Sequence, residues 1–511
     1  MPGVVPRLLL PNLAAMLALT TLFYSLFVFG GAERFFRDSD TGWHIRTGES
    51  ILAHHALPRT DLYSFSKSGQ PWFLWEWGSD VFMGVVYRID GLRGLTALVA
   101  LTVSACAWMW TRLSFAAGGD FLLTALFAPP MITTSSLHWL ARPHIFSWLF
   151  LLACMLYAES SSKRYSAPRF AAAHLGAVAL MTALWANVHA SFFLAPVIAL
   201  TYAVSHLVRP LLWPFDVSLE RKRARWFLLV AAASVAGSFL NPYGWRLHAH
   251  VLSYLRDSDL TSQVAEFQSF NFHDKDATQV ALTLALAGVG GALALSQKKV
   301  SHFLLTALFV WGALRSARVL PLVAIVILPL ANGAFTEALR GVRGLRTAVQ
   351  RRIMATLDYS SRLREIDRNV GGLLLSPLVI LLVLIAMRAP AFSKDIGFSP
   401  SNFPVGAAAA VEKLPPDARI VSPDGYGGYL IYRFNGARKV YFDGRSDFYG
   451  AAFMKQYLTL SRAQPGWPEI VKSFRFTHAL LPENSALKSA LLQAGWTTLY
   501  KDDVATLLEA R

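Results

Sequence analysis

The chain has 511 residues, of which 54% are hydrophobic and 16% are charged, and its mean hydropathy is +0.39. This apolar share excludes an ordinary soluble enzyme and predicts a polytopic α-helical membrane protein. The formal net charge of +16 lies largely in connections between apolar stretches. Topology therefore explains the charge better than nucleic-acid binding does.

Apolar stretches long enough to approach the ~20 residues of a membrane-spanning helix recur along the chain. We predict about eleven spans, each delimited by polar or turn-forming residues. The first is too long for a signal-peptide core and is expected to be retained. The predicted spans are 8–30, 92–113, 121–137, 146–158, 170–186, 192–207, 227–240, 277–295, 303–314, 319–335 and 371–387.

Basic residues alternate along the connections and predict the orientation. Arg7, Arg112 and Lys163 mark connections that resist translocation, and the segment 336–370 is rich in arginine. That segment is expected on the cytoplasmic side against anionic membrane lipids. The N-terminus is then cytoplasmic and the tail after the last span is extracytoplasmic.

The outer connections of this topology carry acids, histidines, an asparagine and arginines. The rule that places basic residues on the cytoplasmic side does not explain these outer residues. Several of them directly precede or follow a predicted span, where a membrane-embedded substrate can meet polar groups. The candidate site residues are Asp38, Asp40, His44, Glu76, Arg142, Asn187, His189, Arg315 and Arg318.

The first outer loop, 31–91, begins with the pair Asp38 and Asp40 before an amphipathic stretch at 41–54. Asp40 is either the N-cap of that helix or a functional carboxylate. Two acids one residue apart can act as a base and its helper, or can hold a divalent cation such as Mg²⁺ or Mn²⁺. His44 is expected on the water-exposed face of the helix.

The remaining candidates have a structural and a functional interpretation each. Arg142, Arg315 and Arg318 either extend to lipid headgroups or bind the phosphate of a lipid-linked donor. Asn187 and His189 either join helices or serve acceptor binding and proton relay, a role also open to His44 and Glu76.

The first loop resembles that of the GT-C superfamily of integral membrane glycosyltransferases, which includes oligosaccharyltransferase catalytic subunits, protein mannosyltransferases and lipid A aminoarabinose transferases. The resemblance starts at the Asp-Ser-Asp sequence at 38–40 and the interfacial-helix sequence that follows. Further segments are similar to a bacterial subgroup of membrane glycosyltransferases. The matching segments are 38–40, 43–52, 57–65, 72–77, 142–143, 185–189 and 241–244.

This resemblance implies a GT-C-like domain at 1–390 and a catalytic role for Asp40, with Asp38 as its neighbour. The family uses such first-loop acids as catalytic base or metal ligand. No Trp-Trp-Asp motif occurs in the tail, which disfavours transfer to protein asparagine. Nothing resembles a nucleotide-sugar domain, which fits a polyprenyl-phosphate donor.

The tail, 391–511, alternates apolar and polar residues between turn signals and predicts a small extracytoplasmic α/β domain. The glycine-rich run at 425–429 is interpreted as a turn with close backbone packing, since no P-loop Lys-Ser/Thr follows. Asp443, Arg445 and Asp447 either face the membrane site or form a salt-bridged turn. Predicted strands are 418–421, 429–433, 439–442, 478–481, 497–501 and 504–508.

Together these features predict a glycosyltransferase that moves a sugar from a polyprenyl-phosphate donor to a lipid or glycan acceptor at the outer face of a bacterial inner membrane. Two other classes stay open: a transporter or flippase of lipid-linked sugars, and a non-catalytic membrane scaffold. Charges gathered at one face, without inverted repeats, favour the transferase over the transporter. Cys106 and Cys154 lie in predicted spans and predict neither a disulfide nor a redox site.

Overall fold

The computed structural model describes residues 4–28, 30–163, 170–275, 277–344, 346–393 and 396–511. Within these ranges the first 390 residues are almost entirely helical, because apolar segments in lipid must satisfy their backbone hydrogen bonds internally. Each predicted span coincides with a helix or a helix pair. The helices are α1 (Val4–Leu9), α2 (Leu13–Phe27), α3 (Asp40–His54), α4 (Trp77–Ala116), α5 (Phe121–Ser135), α6 (His144–Ser162), α7 (Ala171–Val188), α8 (Leu194–Leu212), α9 (Val217–Ser238), α10 (Trp245–Arg256), α11 (Ser258–Thr261), α12 (Ala277–Ser296), α13 (Val300–Arg315), α14 (Leu320–Leu322), α15 (Leu328–Arg340), α16 (Thr347–Asn369), α17 (Leu375–Ala386) and α18 (Pro390–Ser393).

Within the described residues, seven helical segments are long and apolar enough to cross a membrane. Helices α13 and α17 are shorter apolar helices of 16 and 12 residues. The protein is therefore a multi-pass helical membrane protein, as predicted, whereas the count of eleven spans is not confirmed. Many leucine, valine and phenylalanine side chains on these helices are exposed, as expected for surfaces in contact with lipid.

The first loop folds back onto the helices rather than extending from them. It contains α3, which is buried along most of its length, and it ends in the first part of α4. Helix α4 is kinked at Asp90 and Gly91, where Gly91 has φ +59°. The kink separates the first three turns of α4 from the apolar part that was predicted to span the membrane.

The tail contains a four-stranded sheet in the order β1-β2-β4-β3 with helices around it. Strand β1 is parallel to β2, and the pairs β2–β4 and β3–β4 are antiparallel. This confirms a small α/β tail. Its elements are β1 (Ile420–Val421), β2 (His478–Pro482), β3 (Thr497–Lys501), β4 (Ala505–Glu509), α19 (Ala408–Glu412), α20 (Asp424–Arg433), α21 (Ser446–Ser461), α22 (Trp467–Phe474) and α23 (Ala486–Gln493).

Two predicted strands of the tail are wrong. The segment 429–433 belongs to α20, and in 439–442 only Val440 forms an isolated bridge, to Ser64 of the first loop. The aromatic and branched residues of 429–433 favour a strand locally, but packing against α3 selects a helix. The turn expected at 425–429 is also helical, whereas the expected close backbone packing is present at Gly428.

Helices α20 and α3 are in intimate contact, which joins the tail to the first loop. A Cβ added to Gly428 would lie 2.2 Å from the backbone oxygen of Ser39. The Arg46 guanidinium donates hydrogen bonds of 2.7 and 3.0 Å to the backbone oxygen of Tyr432. The first loop and the tail therefore pack against each other and together cover the helical bundle. We refer to this pair of segments as the roof.

Candidate active site

A cavity of about 540 Å³ lies where the first loop, helices α6, α8 and α13, and the start of α21 meet. One part of its wall is apolar and includes Leu151, Val197 and Leu308. The rest carries a concentration of charged and titratable groups, which suits a ligand with a polar head and an apolar attachment. These groups are Asp40, Glu76, His138, Arg142, His144, His189, Glu266, Arg315, Arg318, Arg445 and Asp447.

Asp40 lies at the first position of α3, and only 5% of the residue is exposed. The N-cap position belongs to Ser39, so the interpretation of Asp40 as the cap is wrong. The backbone N–H of Asp40 donates a hydrogen bond of 2.9 Å to the Asp38 carboxylate. The Asp40 carboxylate itself pairs with Arg142, whose Nη2 lies 2.9 Å from Oδ2 of Asp40.

Arg142 binds three carboxylates at once. Its Nη1 lies 2.6 Å from Asp38 and 2.9 Å from Glu266, in addition to its pair with Asp40. Glu266 also pairs with Arg318 at 2.7 Å. With 15% of its side chain exposed, Arg142 is held inside this network and does not extend to lipid headgroups.

Arg315 differs from the other three arginines of the cavity, Arg142, Arg318 and Arg445, each of which forms an ion pair with a carboxylate. Its guanidinium lies 5.4 Å from the centre of the Trp311 ring, and within the described ranges no carboxylate forms an ion pair with it. Its charge is therefore the most available one for an incoming anion.

The acidic groups of the cavity differ in the direction in which their pKa values are shifted. Burial raises the pKa of Asp40 to about 7, and the Arg142 charge offsets only part of that effect. Burial raises the pKa of Glu76 to about 8, against the opposing charges of Arg142 and Arg318. The pKa of Glu266 is instead held well below its usual range, because Arg318 and Arg142 outweigh the cost of burial.

Glu76 and His189 face each other across the cavity wall, with 3.5 Å between Oε1 and Nε2. Burial, together with the charges of Arg318 and Arg142, lowers the pKa of His189 to about 3. The ring is therefore neutral near pH 7, and its Nδ1 lies 2.8 Å from Ser191 Oγ. A neutral imidazole beside a protonated carboxyl group can exchange hydrogen bonds with a bound hydroxyl.

Asn187 and His44 do not line this cavity. Asn187 accepts a hydrogen bond of 2.8 Å from Trp77 Nε1 and donates one of 2.8 Å to the backbone oxygen of Leu240, so it joins helices. His44 is 1% exposed, and its Nδ1 lies 2.6 Å from Asp80 Oδ1. Its predicted place on an exposed face is wrong, because the roof formed by the tail and the packing on α4 bury α3 on both sides.

The tail contributes the segment 444–447 to the cavity wall. Arg445 forms a bidentate pair with Asp443 at 2.8 and 2.7 Å, and its Nη1 lies 2.8 Å from Asp61 of the first loop. The expected salt-bridged turn is present, and Arg445 and Asp447 line the cavity, whereas Asp443 does not. The salt-bridged turn is what holds its residues at the cavity.

Sequence reasoning gave no role to Glu266, His138 and His144, although all three lie in outer connections of the predicted topology. Each lines the cavity, and Glu266 links Arg142 to Arg318. No local motif marks them. The available signal was an acid or histidine at the outer end of a span, which the sequence offers at many positions.

A divalent cation, one of the two alternatives for Asp38 and Asp40, does not fit the arrangement of their carboxylates. The Arg142 guanidinium bridges the two side chains, and a divalent cation would have to displace it. Within the described part of the chain, no group of three or more His, Cys, Asp and Glu residues could hold a metal ion. The positive charge beside Asp40 is that of an arginine.

Comparisons with known proteins identify the fold. No protein-family model matches the chain, and no curated protein matches it. The archaeal oligosaccharyltransferase AglB from Archaeoglobus fulgidus, solved with an inhibitory peptide and a dolichol-phosphate, superposes with a TM-score of 0.55 at 11% identity over 92% of this chain and 69% of its own. The apo form of the A. fulgidus oligosaccharyltransferase gives a TM-score of 0.54 at 11% identity over 91% and 69%. ArnT from Cupriavidus metallidurans, solved bound to undecaprenyl phosphate, has 13% identity over 97% of each chain and a TM-score of 0.43.

The chain therefore has the fold of the GT-C membrane glycosyltransferases. This confirms the fold that the first-loop resemblance implied. At 11% identity the likeness establishes the architecture alone.

Proposed function

We propose that the protein is a glycosyltransferase that moves a sugar from a polyprenyl-phosphate donor to an acceptor hydroxyl at the outer face of a bacterial inner membrane. The observation that carries the proposal is the buried Asp40 carboxylate in a cavity that has an apolar wall and four arginines. The solved AglB complex contains a dolichol-phosphate, a ligand with the polar head and apolar chain that such a cavity suits.

The proposed reaction is a single displacement. The Asp40 carboxylate accepts the proton of an acceptor hydroxyl, and the oxygen lone pair forms a bond to the anomeric carbon of the donor. The bond from that carbon to the phosphate oxygen breaks, and its electron pair leaves with the polyprenyl phosphate. The products are the glycoside and polyprenyl phosphate, with inversion at the anomeric carbon, and Asp40 then releases its proton to water.

The arginines have distinct parts in this proposal. Arg142 orients Asp40 and is already balanced by carboxylates. Arg315 binds the donor phosphate, and Arg318 contributes to this binding. Both charges offset the negative charge that grows on the phosphate as the polyprenyl phosphate leaves. Asp38 and Glu266 keep Arg142 in place and are positioning residues.

The two rival functions differ in measurable ways. A flippase moves an intact donor across the bilayer, and a scaffold neither binds nor consumes it. Charged groups concentrated in one cavity beneath a folded roof favour chemistry at one membrane face over alternating access.

The test is turnover by the purified protein in lipid nanodiscs. A panel of radiolabelled polyprenyl-phosphate sugars is incubated with it, and released polyprenyl phosphate and transferred sugar are separated by chromatography. Consumption of one donor supports the transferase. Transfer of intact donor between leaflets of a proteoliposome would identify a flippase, and absence of donor binding would leave a scaffold.

The reaction rate is expected to rise as the pH increases through about 7 and to level off above it. The raised pKa keeps the Asp40 proton in place below that pH, and only the deprotonated carboxylate can accept a proton. The rate should fall about tenfold for each pH unit below the midpoint. Initial rates at saturating donor between pH 5.5 and 8.5 measure this, with donor affinity followed over the same range as a control. A flat profile would contradict a base with this pKa.

Substituting Arg315→Ala is expected to raise the KM for the donor by roughly 10- to 100-fold, because one charge-assisted phosphate contact is lost. Arg315→Lys should recover part of the affinity, since it restores the charge without the planar fork. Arg351→Ala, an exposed arginine on α16, is the matched control and should leave the KM unchanged. An unchanged donor KM in Arg315→Ala would place the phosphate elsewhere.

A further inference from the structure

One wall of the cavity combines aromatic rings with carboxyl groups. The first loop contributes Trp75 and Glu76, α10 contributes Tyr254, and the start of α21 contributes Ser446 and Asp447. The rings of Trp75 and Tyr254 meet edge to face with 5.7 Å between their centres. Trp43 and Phe267 also line the cavity.

This wall is fixed by contacts between its three segments. The Tyr254 hydroxyl lies 2.9 Å from Ser446 Oγ, and His250 Nε2 lies 3.1 Å from Asp447 Oδ2. The side chain of Asp447 is 12% exposed, which is consistent with a group that reaches the cavity while staying anchored. The wall is therefore assembled before any ligand arrives.

Its chemistry is unlike that of the arginine-rich part of the cavity. An anionic phosphate is repelled by Asp447 and is better bound near Arg315 and Arg318. Carboxylates beside aromatic faces suit a neutral ring with an apolar face and several hydroxyls at its edge. None of the strands β1–β4 lines the cavity, so this wall offers no strand edge to an extended peptide.

We infer that Trp75, Tyr254 and Asp447 form the acceptor subsite and that the acceptor is a carbohydrate. A sugar ring packs against the corner formed by Trp75 and Tyr254, and its hydroxyls donate hydrogen bonds to Asp447. The assignment of this ligand as the acceptor rests on the proposed function, whereas the binding of a sugar here does not. Glu76 lies next in sequence to Trp75 and adds a second hydrogen-bonding group.

Binding of saccharides without donor tests the inference. Saturation-transfer NMR on the protein in nanodiscs uses N,N′-diacetylchitobiose, mannobiose and maltose as probes, with a hexapeptide containing asparagine and threonine for comparison. At least one disaccharide is expected to bind, and Trp75→Phe, Tyr254→Ala and Asp447→Asn should each weaken its binding by about 5-fold or more. Trp108→Ala and Asp503→Asn are the matched controls, since Trp108 lies on α4 outside the cavity and Asp503 is exposed in the tail.

The outcomes separate the inference from the proposed function. Absence of binding by all three disaccharides, or binding that the three wall variants leave unchanged, overturns the inference. Binding of the hexapeptide that is lost in Trp75→Phe also overturns it, in favour of a peptide acceptor. If a disaccharide binds through the wall while no donor is ever consumed, the sugar-binding site stands, whereas its assignment as the acceptor subsite and the proposed function both fail.

Discussion

Replacing Asp40 with asparagine is expected to reduce sugar transfer by about 10²- to 10⁴-fold while the protein stays folded. Asparagine has the shape of aspartate but cannot accept the acceptor proton, so the substitution removes the base and little else. It also leaves Arg142 with Asp38 and Glu266 as partners, which limits the structural damage. Release of polyprenyl phosphate from a radiolabelled donor, measured beside a thermal unfolding curve, checks both parts.

The comparison variant for this experiment is Asp417→Asn, which removes an exposed carboxylate of the tail far along the chain from the first loop. It is expected to retain wild-type turnover. Donor binding should persist in Asp40→Asn, because the phosphate contacts are assigned to Arg315 and Arg318. Wild-type turnover by Asp40→Asn would move the base to another acid of the cavity, with Glu76 and its raised pKa as the first alternative.

The fold was predictable because hydropathy and helix formation are local in a membrane. Each apolar stretch must form its own hydrogen bonds, so α12, predicted at 277–295, is observed as Ala277–Ser296. Helix α3 followed from amphipathic spacing after Asp40. The kink of α4 at Gly91 lies where the apolar sequence gives way to the polar first loop.

The site was predictable only in part, because its contacts join residues distant in sequence. Asp40 and Arg142 were separate candidates, and their pairing at 2.9 Å brings together an outer loop and a connection about a hundred positions further along the chain. Glu266 shows the limit more clearly, since its role depends on two arginines that only the fold places beside it. The helix α20 was missed for the same reason, because its glycines matter only once α3 lies against them.

Substituting Gly444→Ala is expected to impair catalysis about as severely as loss of the base, although residue 444 carries no functional group. A Cβ at this position would lie 1.9 Å from Oδ1 of Asp40 and 2.7 Å from its Cγ, far inside van der Waals contact. Either the carboxylate turns away from Arg142 or the segment 444–447 retreats from the cavity. In both cases the base loses its position, and a displacement of about 1 Å costs on the order of 10² in rate.

The matched control is Gly425→Ala in α20, where an added Cβ meets no atom within 4 Å. It should keep wild-type turnover and unfold at the same or a slightly higher temperature, since alanine favours helix over glycine by about 1 kcal/mol. Gly444→Ala should cost about 1–3 kcal/mol of stability through overpacking and lose far more activity than that cost explains. If Gly444→Ala turned over donor at the wild-type rate, Asp40 would not need its observed position, and neither the base assignment nor the role of the tail as the roof of the active site would stand. An equal loss in both variants would instead point to a general sensitivity of the tail.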